Sequence, residues 1–254
     1  MRIISAKKIQ DAVAGLCIQA NIFLRKDVLK SLRDAYAKET SKLAREVLAA
    51  TISNAGIAKK EKLAICQDTG MPVVFVRIGQ DVKIKGNLKS AINKGVEYGY
   101  KKGNLRNSVV ANPISRGRPG YSPAVIHLDI VTGDKVRLTV LPKGFGCENK
   151  SRLKMFKPTA NIEDIKKFIL DTIKEAGPDA CPPYVIGVGI GGTADYASIL
   201  AKKALLRNIG SGSPNPEIKL LEMELLRQVN MLNIGPMGLG GKTTVLGVNI
   251  ETDS

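Results

Sequence analysis

The chain has 254 residues, with 39 Lys and Arg against 23 Asp and Glu, a single His, and a formal net charge of +16. A hydrophobic share of 44 % beside 24 % charged residues, with four Cys over the whole length, excludes intrinsic disorder, a collagen-like repeat and a disulfide-stapled miniprotein. No apolar run reaches the ~20 residues that span a bilayer, and the opening MRIISAKKIQDAV puts charges where a secretory signal needs its apolar core. The expectation is a soluble, cytoplasmic protein whose cysteines are thiols or metal ligands.

Taken in chain order, the first fifty residues predict helices. Ile9, Val13, Leu16 and Ala20 recur at helical spacing from Ser5 to Ala20; a second helix opens near Arg25-Lys26-Asp27 and runs through Val28, Leu29, Leu32 and Ala35; a third covers Ser41 to Ile52. Leu63-Ala64-Ile65 and Val73 to Val76 are short β-branched runs that predict strands around the loop Cys66-Gln67-Asp68-Thr69-Gly70. Asn87 to Tyr100 predicts a helix, and Ala124 to Val131 with Val136 to Leu141 predicts a hairpin turning at Thr132-Gly133-Asp134-Lys135. Ile162 to Glu175 predicts a helix stopped by Gly177-Pro178; Tyr184 to Ile190 a buried strand; Gly191-Gly192-Thr193 the entry to a helix ending near Leu206. Pro216 to Asn230 and Thr243 to Ile250 give the last helix and strand. Without a linker or low-complexity tract, the expected class is α+β: a helical N-terminal region packed with a mixed sheet and surrounding helices as one compact body.

The positive charge does not single out nucleic acid, because aromatics are 4 %, Trp is absent and the basic residues are scattered (Lys7, Lys8, Lys59, Lys60, Lys101, Lys102). Collection of an anionic substrate or docking to an acidic subunit suits the same charge. Gly187 to Gly192 satisfies G-x-G-x-x-G between a strand and a helix, but residues 207–213 supply neither the strand nor the acid that a dinucleotide unit requires. Those glycines suit close packing, or backbone N–H groups left open to an anion. Gly240-Gly241-Lys242-Thr243-Thr244 mimics the end of a P-loop, yet Pro236 stands where its first glycine belongs and a strand follows where a helix is needed.

Cys17 falls in an apolar helical stretch and reads as a core residue. Cys66, Cys147 and Cys181 fall in loops beside Gly or Pro, with no C-x-x-C pairing, which disfavours a structural zinc ribbon. Widely spaced loop thiols suit either an iron–sulfur cluster inside an enzyme or ordinary thiols. Asp68 reads equally as a turn-forming residue, Arg106 as a solvated cation, Gln67 as a loop polar group, and His127 as a hydrogen-bonded core residue.

The run Ala64-Ile65-Cys66-Gln67-Asp68-Thr69-Gly70, followed in order by Leu105-Arg106, Pro123 to His127, Pro142-Lys143-Gly144, Glu148-Asn149, Cys181-Pro182-Pro183, Gly187 to Thr193 and Gly238 to Thr243, resembles the iron–sulfur-dependent (class I) fumarases and L-tartrate dehydratases over nearly the whole chain. It is similar to their α subunit, or to the N-terminal domain of the fused enzymes. The resemblance implies a hydro-lyase that adds or removes water on a C4 dicarboxylic acid such as fumarate/malate or tartrate. It implies a [4Fe–4S] cluster on three cysteines, with Cys66 and Cys181 matching two ligands. Gln67 and Asp68 follow the first ligand into the active site; Asp68 assists proton transfer or orients the base. Arg106 matches a carboxylate clamp, and the turn from Gly144 to Gly146 brings backbone to the substrate. A β subunit supplies the remaining residues, so the expected partner set is a dicarboxylate and that subunit, in a hetero-oligomer.

The family's third cluster cysteine comes shortly beyond the stretch matching Gly238 to Ile250. The expectation is therefore that residues 1–254 form one α-subunit (N-terminal) domain truncated at its C-terminus, with Cys147 as the alternative, local third ligand. The rival to an enzyme is a non-catalytic anion- or partner-binding subunit without a complete cluster.

Overall fold

The computed structural model describes residues 1–254. Its elements, in order, are β1 (Arg2–Ser5), α1 (Ala6–Ile22), α2 (Lys26–Lys38), α3 (Lys42–Glu61), β2 (Met71–Gly79), β3 (Val82–Lys85), α4 (Leu88–Lys102), β4 (Val125–Val131), β5 (Val136–Lys143), α5 (Phe145–Glu148), α6 (Ile162–Ala176), β6 (Tyr184–Ile190), α7 (Ala194–Ala204), α8 (Pro216–Asn230) and β7 (Val245–Thr252), with a 3-10 turn at Pro236–Gly238. The class is α+β, as the residue pattern predicts. The chain divides into two compact units: Met1–Leu24 with Asn54–Phe145, and Arg25–Ser53 with Gly146–Ser254. None of the helices is long and apolar enough to cross a membrane.

In the first unit the helix boundaries follow side-chain chemistry. Ser5 caps α1 by accepting from the Lys8 N–H, and Asn87 caps α4 by accepting from the Ser90 N–H at 2.8 Å. The apolar stripe of α1 (Ile9, Val13, Cys17) packs with Ile92, Val96 and Tyr100 of α4 and with Val74 and Val76 of β2 in one core. Each such side chain, fully buried, contributes about 1.5–3 kcal/mol. The short β1 runs parallel to β3, a pairing too brief for the residue pattern to betray.

The main sheet of this unit corrects the expected hairpin. β4 and β5 are both present, but they do not pair with each other: β2 lies between them, parallel to β4 and antiparallel to β5, in the order β4-β2-β5. β2 is the most deeply buried strand of this sheet, with five consecutive buried residues from Pro72 to Val76, and it takes the central position where both edges are covered. The turn at residues 132–135 closes over its end, where Gly79 donates to Lys135 O at 2.8 Å and Asp81 to Gly133 O at 3.0 Å. A Cβ on Gly79 would stand 2.1 Å from Gly133 O, so only glycine lets the strand pass under that turn. Leu63-Ala64-Ile65, expected as a strand, is not one; its backbone bonds to other segments, Ile65 N to Asn21 O at 2.9 Å and Ile65 O to Asn54 Nδ2 at 2.8 Å.

In the second unit β6 and β7 pair in parallel, and α6 and α8 bury Ile169, Ile173, Leu221, Leu225 and Val229 against Val245, Val248 and Ile250. Asn215 caps α8 ahead of Pro216, and Asn161 with Asp164 forms a capping box on α6. Two ionic knots tie the connections down. Arg25 grips Asp27 and donates to the carbonyls of Leu205 and Arg207 at 3.0 and 2.8 Å. Arg207 in turn donates to buried Glu222 at 2.7 Å, whose carboxylate also accepts from the N–H groups of Ile250 and Ser213. With its oxygens so satisfied, the Glu222 charge is tolerated at 5 % exposure.

Candidate functional site

The turn Cys66 to Gly70, immediately before β2, is built by Asp68. Its Oδ1 accepts from the Gly70 N–H at 3.1 Å, a local turn-closing bond, while Oδ2 accepts from the Phe145 N–H at 2.8 Å, just past β5. One carboxylate thus joins the two segments on which the sequence places chemistry. Gly144 leans on the same group: a Cβ there would meet Asp68 Oδ2 at 3.1 Å. Within the turn, the Cys66 thiol donates to Gln67 Oε1 at 3.2 Å and accepts from the Asp68 N–H at 3.4 Å.

Thr69 anchors the turn from below. It is 3 % exposed, its carbonyl accepts from the Tyr100 hydroxyl at 2.9 Å, and its Oγ1 accepts from the Arg106 N–H at 3.0 Å. Burial drives the ionisation of the Tyr100 hydroxyl upward, so it serves as a neutral donor. Through Thr69 the Arg106 backbone is held beside the Cys66 turn, with the residue itself exposed. The first unit therefore gathers Cys66, Gln67, Asp68, Arg106 and Gly144 at one loop corner. Thr69 and Tyr100 were not singled out by sequence reasoning; the threonine lies inside the Cys66-to-Gly70 signature, while the tyrosine gives no signal outside its helical spacing.

The second unit holds the other two loop thiols. Cys147, in the single turn α5, donates to Ala180 O at 3.6 Å, and exposed Cys181 follows directly at φ 56, ahead of Pro182-Pro183. Gly146 faces the same loop, where a Cβ would stand 3.7 Å from Asp179 O. Lys150 pairs with Asp179 at 2.5 Å, fastening α5 and the cysteine loop together. The Tyr184 hydroxyl donates to Gly177 O; burial first, then the neighbouring Cys147 and Cys181, push its ionisation up to about 12.

Cys66 belongs to one unit and Cys147 and Cys181 to the other, and in neither unit do three or more His, Cys, Asp or Glu side chains gather at metal-holding spacing. Cys66, Cys147 and Cys181 are exposed thiols in no disulfide, whereas Cys17 lies in the α1 core and burial pushes its thiol up to about 12. Thiolates ligate metals and thiols do not, so the donor chemistry separates three accessible loop cysteines from one inert core cysteine.

The G-x-G-x-x-G motif resolves as close packing. In the G-x-G-x-x-G stretch a Cβ on Gly187 would meet Ala201 O at 2.2 Å, and one on Gly189 would meet Ala197 O at 2.0 Å, so α7 lies directly on β6. His127 stacks on Phe75, ring centroids 5.0 Å apart, within the sheet.

The fumarate hydratase (Fumerase) family model matches residues 10–254. The protein named "Putative L(+)-tartrate dehydratase subunit alpha" of Methanocaldococcus jannaschii is 44 % identical over 252 residues, covering 96 % of this chain and 88 % of that protein. The L(+)-tartrate dehydratase subunits alpha of Escherichia coli K12 and Shigella sonnei are each 32 % identical over 252 residues, covering 98 % of this chain and 83 % of theirs. With a family match and collinear relatives over nearly all of its length, the chain belongs to the fumarate hydratase (Fumerase) family of hydro-lyases.

Proposed function

We propose that this chain is the cytoplasmic α subunit of an iron–sulfur-dependent hydro-lyase that hydrates or dehydrates a C4 dicarboxylic acid of the tartrate or fumarate/malate type, completed by a β subunit. The observation that carries the reading is the loop corner where Asp68 bonds both the Gly70 and the Phe145 N–H and Thr69 holds the Arg106 backbone. The three exposed loop thiols fit a cluster by donor chemistry, with Cys66 and Cys181 as two ligands and Cys147 as the candidate third. When bound, a [4Fe–4S] cluster with an open iron supplies a Lewis acid for the substrate hydroxyl.

The chain's own residues supply position and charge. Arg106 offers a planar fork of donors to a substrate carboxylate, the pairing that guanidinium makes best. Asp68 keeps both oxygens on backbone N–H groups, which favours orienting the reacting groups over shuttling a proton itself. Gln67, exposed beside Cys66, offers an amide to the substrate, and Gly144 and Gly146 offer backbone. The net charge of +16 favours collection of dianionic acids over the ~8–10 Å that cellular salt leaves unscreened.

The test is anaerobic reconstitution with iron and sulfide, with iron counted per chain, for wild type and the variants Cys66→Ser, Cys147→Ser and Cys181→Ser, alone and with the β subunit. The reading expects iron to be lost in Cys66→Ser and Cys181→Ser. Dicarboxylate turnover is expected only from the complex. Full iron retention in Cys66→Ser and Cys181→Ser sinks the proposal; retention in Cys147→Ser alone removes Cys147 from the ligand set.

A further inference from the structure

The turn bearing Cys181 is braced by a distant glycine-rich loop. Met237 donates its N–H to Pro182 O at 2.7 Å, one residue past the cysteine, and Gly238 packs so closely on Pro178 that a Cβ would stand 2.4 Å from the proline Cβ. The Cys181 N–H itself bonds Pro178 O at 2.9 Å, so the loop holds this turn at both ends. Such a brace is costly to keep in shape. Gly235, Met237, Gly238, Gly240 and Gly241 all have positive φ, and Met237 does so without glycine's freedom.

What fastens the loop is a carboxylate from the start of the second unit. Glu39 is 3 % exposed; its Oε2 accepts from the Lys242 N–H at 2.7 Å, while Oε1 accepts from the N–H groups of Thr40 and Ser41 at 2.8 and 3.0 Å. Gly241 completes the fit: a Cβ there would meet Glu39 Oε2 at 2.8 Å and Ala44 Cβ at 2.7 Å. Thr244 Oγ1 accepts from the Gly235 N–H at 3.2 Å and closes the other end of the loop. A buried carboxylate this fully engaged by backbone donors is a rigid fastening, since each bond to a charged acceptor is worth more than a neutral one.

We propose that Glu39 is a positioning residue for Cys181: it latches the loop Gly235 to Lys242, and that loop sets the cysteine turn in its conformation. The consequence for metal binding rests on the reading of Cys181 as a cluster ligand; the latch itself does not. Glu39 touches no thiol and no substrate group in this arrangement and acts only through Met237 and Gly238.

The experiment uses the full chain as wild type, Glu39→Gln and Gly241→Ala. It measures amide hydrogen exchange by mass spectrometry and the rate of iodoacetamide alkylation at Cys181, with Cys66 of the other unit as internal reference. Losing the charged acceptor should speed exchange about tenfold or more across residues 235–242 and at the Cys181 amide. The Cys181-to-Cys66 alkylation ratio should change several-fold, with the amides of β2 unmoved. Gly241→Ala, which prises the loop off the carboxylate from the other side, should give the same local pattern.

Loosening that stops at residues 39–45 and 240–243, with Cys181 at its wild-type rates, overturns the proposal, as does a uniform rise throughout the second unit. Iron uptake separates the two ideas. If Glu39→Gln loosens Cys181 while Cys181→Ser still binds full iron, the latch stands and the cluster reading falls. If Cys181→Ser loses iron while Glu39→Gln leaves Cys181 unmoved, the latch falls.

Discussion

Gly189→Ala adds a single methyl group at the tightest strand–helix approach in the second unit. That carbon would stand 2.0 Å from Ala197 O, 2.7 Å from Ala201 N and 2.8 Å from Leu200 Cβ, where ordinary contact begins near 3.4 Å. The two shortest contacts are to α7 backbone, which cannot rotate away, so the helix must lift from β6 by more than an ångström. Overpacking costs about 1–3 kcal/mol when side chains can adjust; with backbone on the receiving side the upper end applies, about 3 kcal/mol. For a chain of this size that lowers the melting temperature by roughly 6–12 °C. Calorimetry on the variant beside Gly15→Ala gives the contrast. Gly15 sits inside α1 with nothing within 4 Å of its Cβ position, so alanine there should gain about 1 kcal/mol of helix propensity and raise the melting temperature. A Gly189→Ala protein melting at or above wild type would refute the packing account of this glycine motif.

Acid lability follows from Asp27. Burial opposes its charge, but the bonds from Arg25 and the Ile209 N–H outweigh it and hold the carboxyl down at about 2. A depressed folded-state value means stability that is fully present above the unfolded value of about 4 and is lost as the pH falls from there toward about 2. Urea midpoints measured across that window should lose their slope in part in Asp27→Asn; an unchanged slope would show that the pair does not contribute. At the loop corner, Thr69→Val removes the acceptor of the Arg106 N–H while keeping the buried shape. The expected cost is about 1 kcal/mol in urea unfolding. On the proposed assignment of Arg106, dicarboxylate binding by the αβ complex should also weaken several-fold, and wild-type binding would disprove that role for the Thr69 bond.

Local patterns reached a long way in this chain. The residue pattern located α8 at Pro216–Asn230, where the structure adds the Asn215 cap, and β6 at Tyr184–Ile190, because such patterns act within one element. Ser5, Asn87 and Gly177 marked helix ends for the same reason. Leu63 to Ile65 misled because three apolar residues say nothing about a pairing partner, and its backbone bonds went to Asn21 and Asn54 instead. The hairpin misled because a tight Gly-Asp turn specifies that two strands run back on themselves but not that they touch; the more deeply buried β2 lies between them.

Loop chemistry divides along the same line. The residues to which the proposal gives chemistry (Cys66, Gln67, Asp68, Arg106, Cys181) stand out in the chain because thiols, carboxylates and guanidinium in glycine-punctuated loops are conspicuous. Their supports do not, since Thr69, Tyr100 and Glu39 act by offering one bond to backbone far away in sequence, and any polar residue could carry that bond until the fold chooses one. Composition and periodicity thus determined class, elements and candidate groups. Strand order, the meeting of Asp68 with Phe145 and the seat of Glu39 were decided only by tertiary packing, because a hydrogen bond across scores of residues leaves no periodic trace in the chain that makes it.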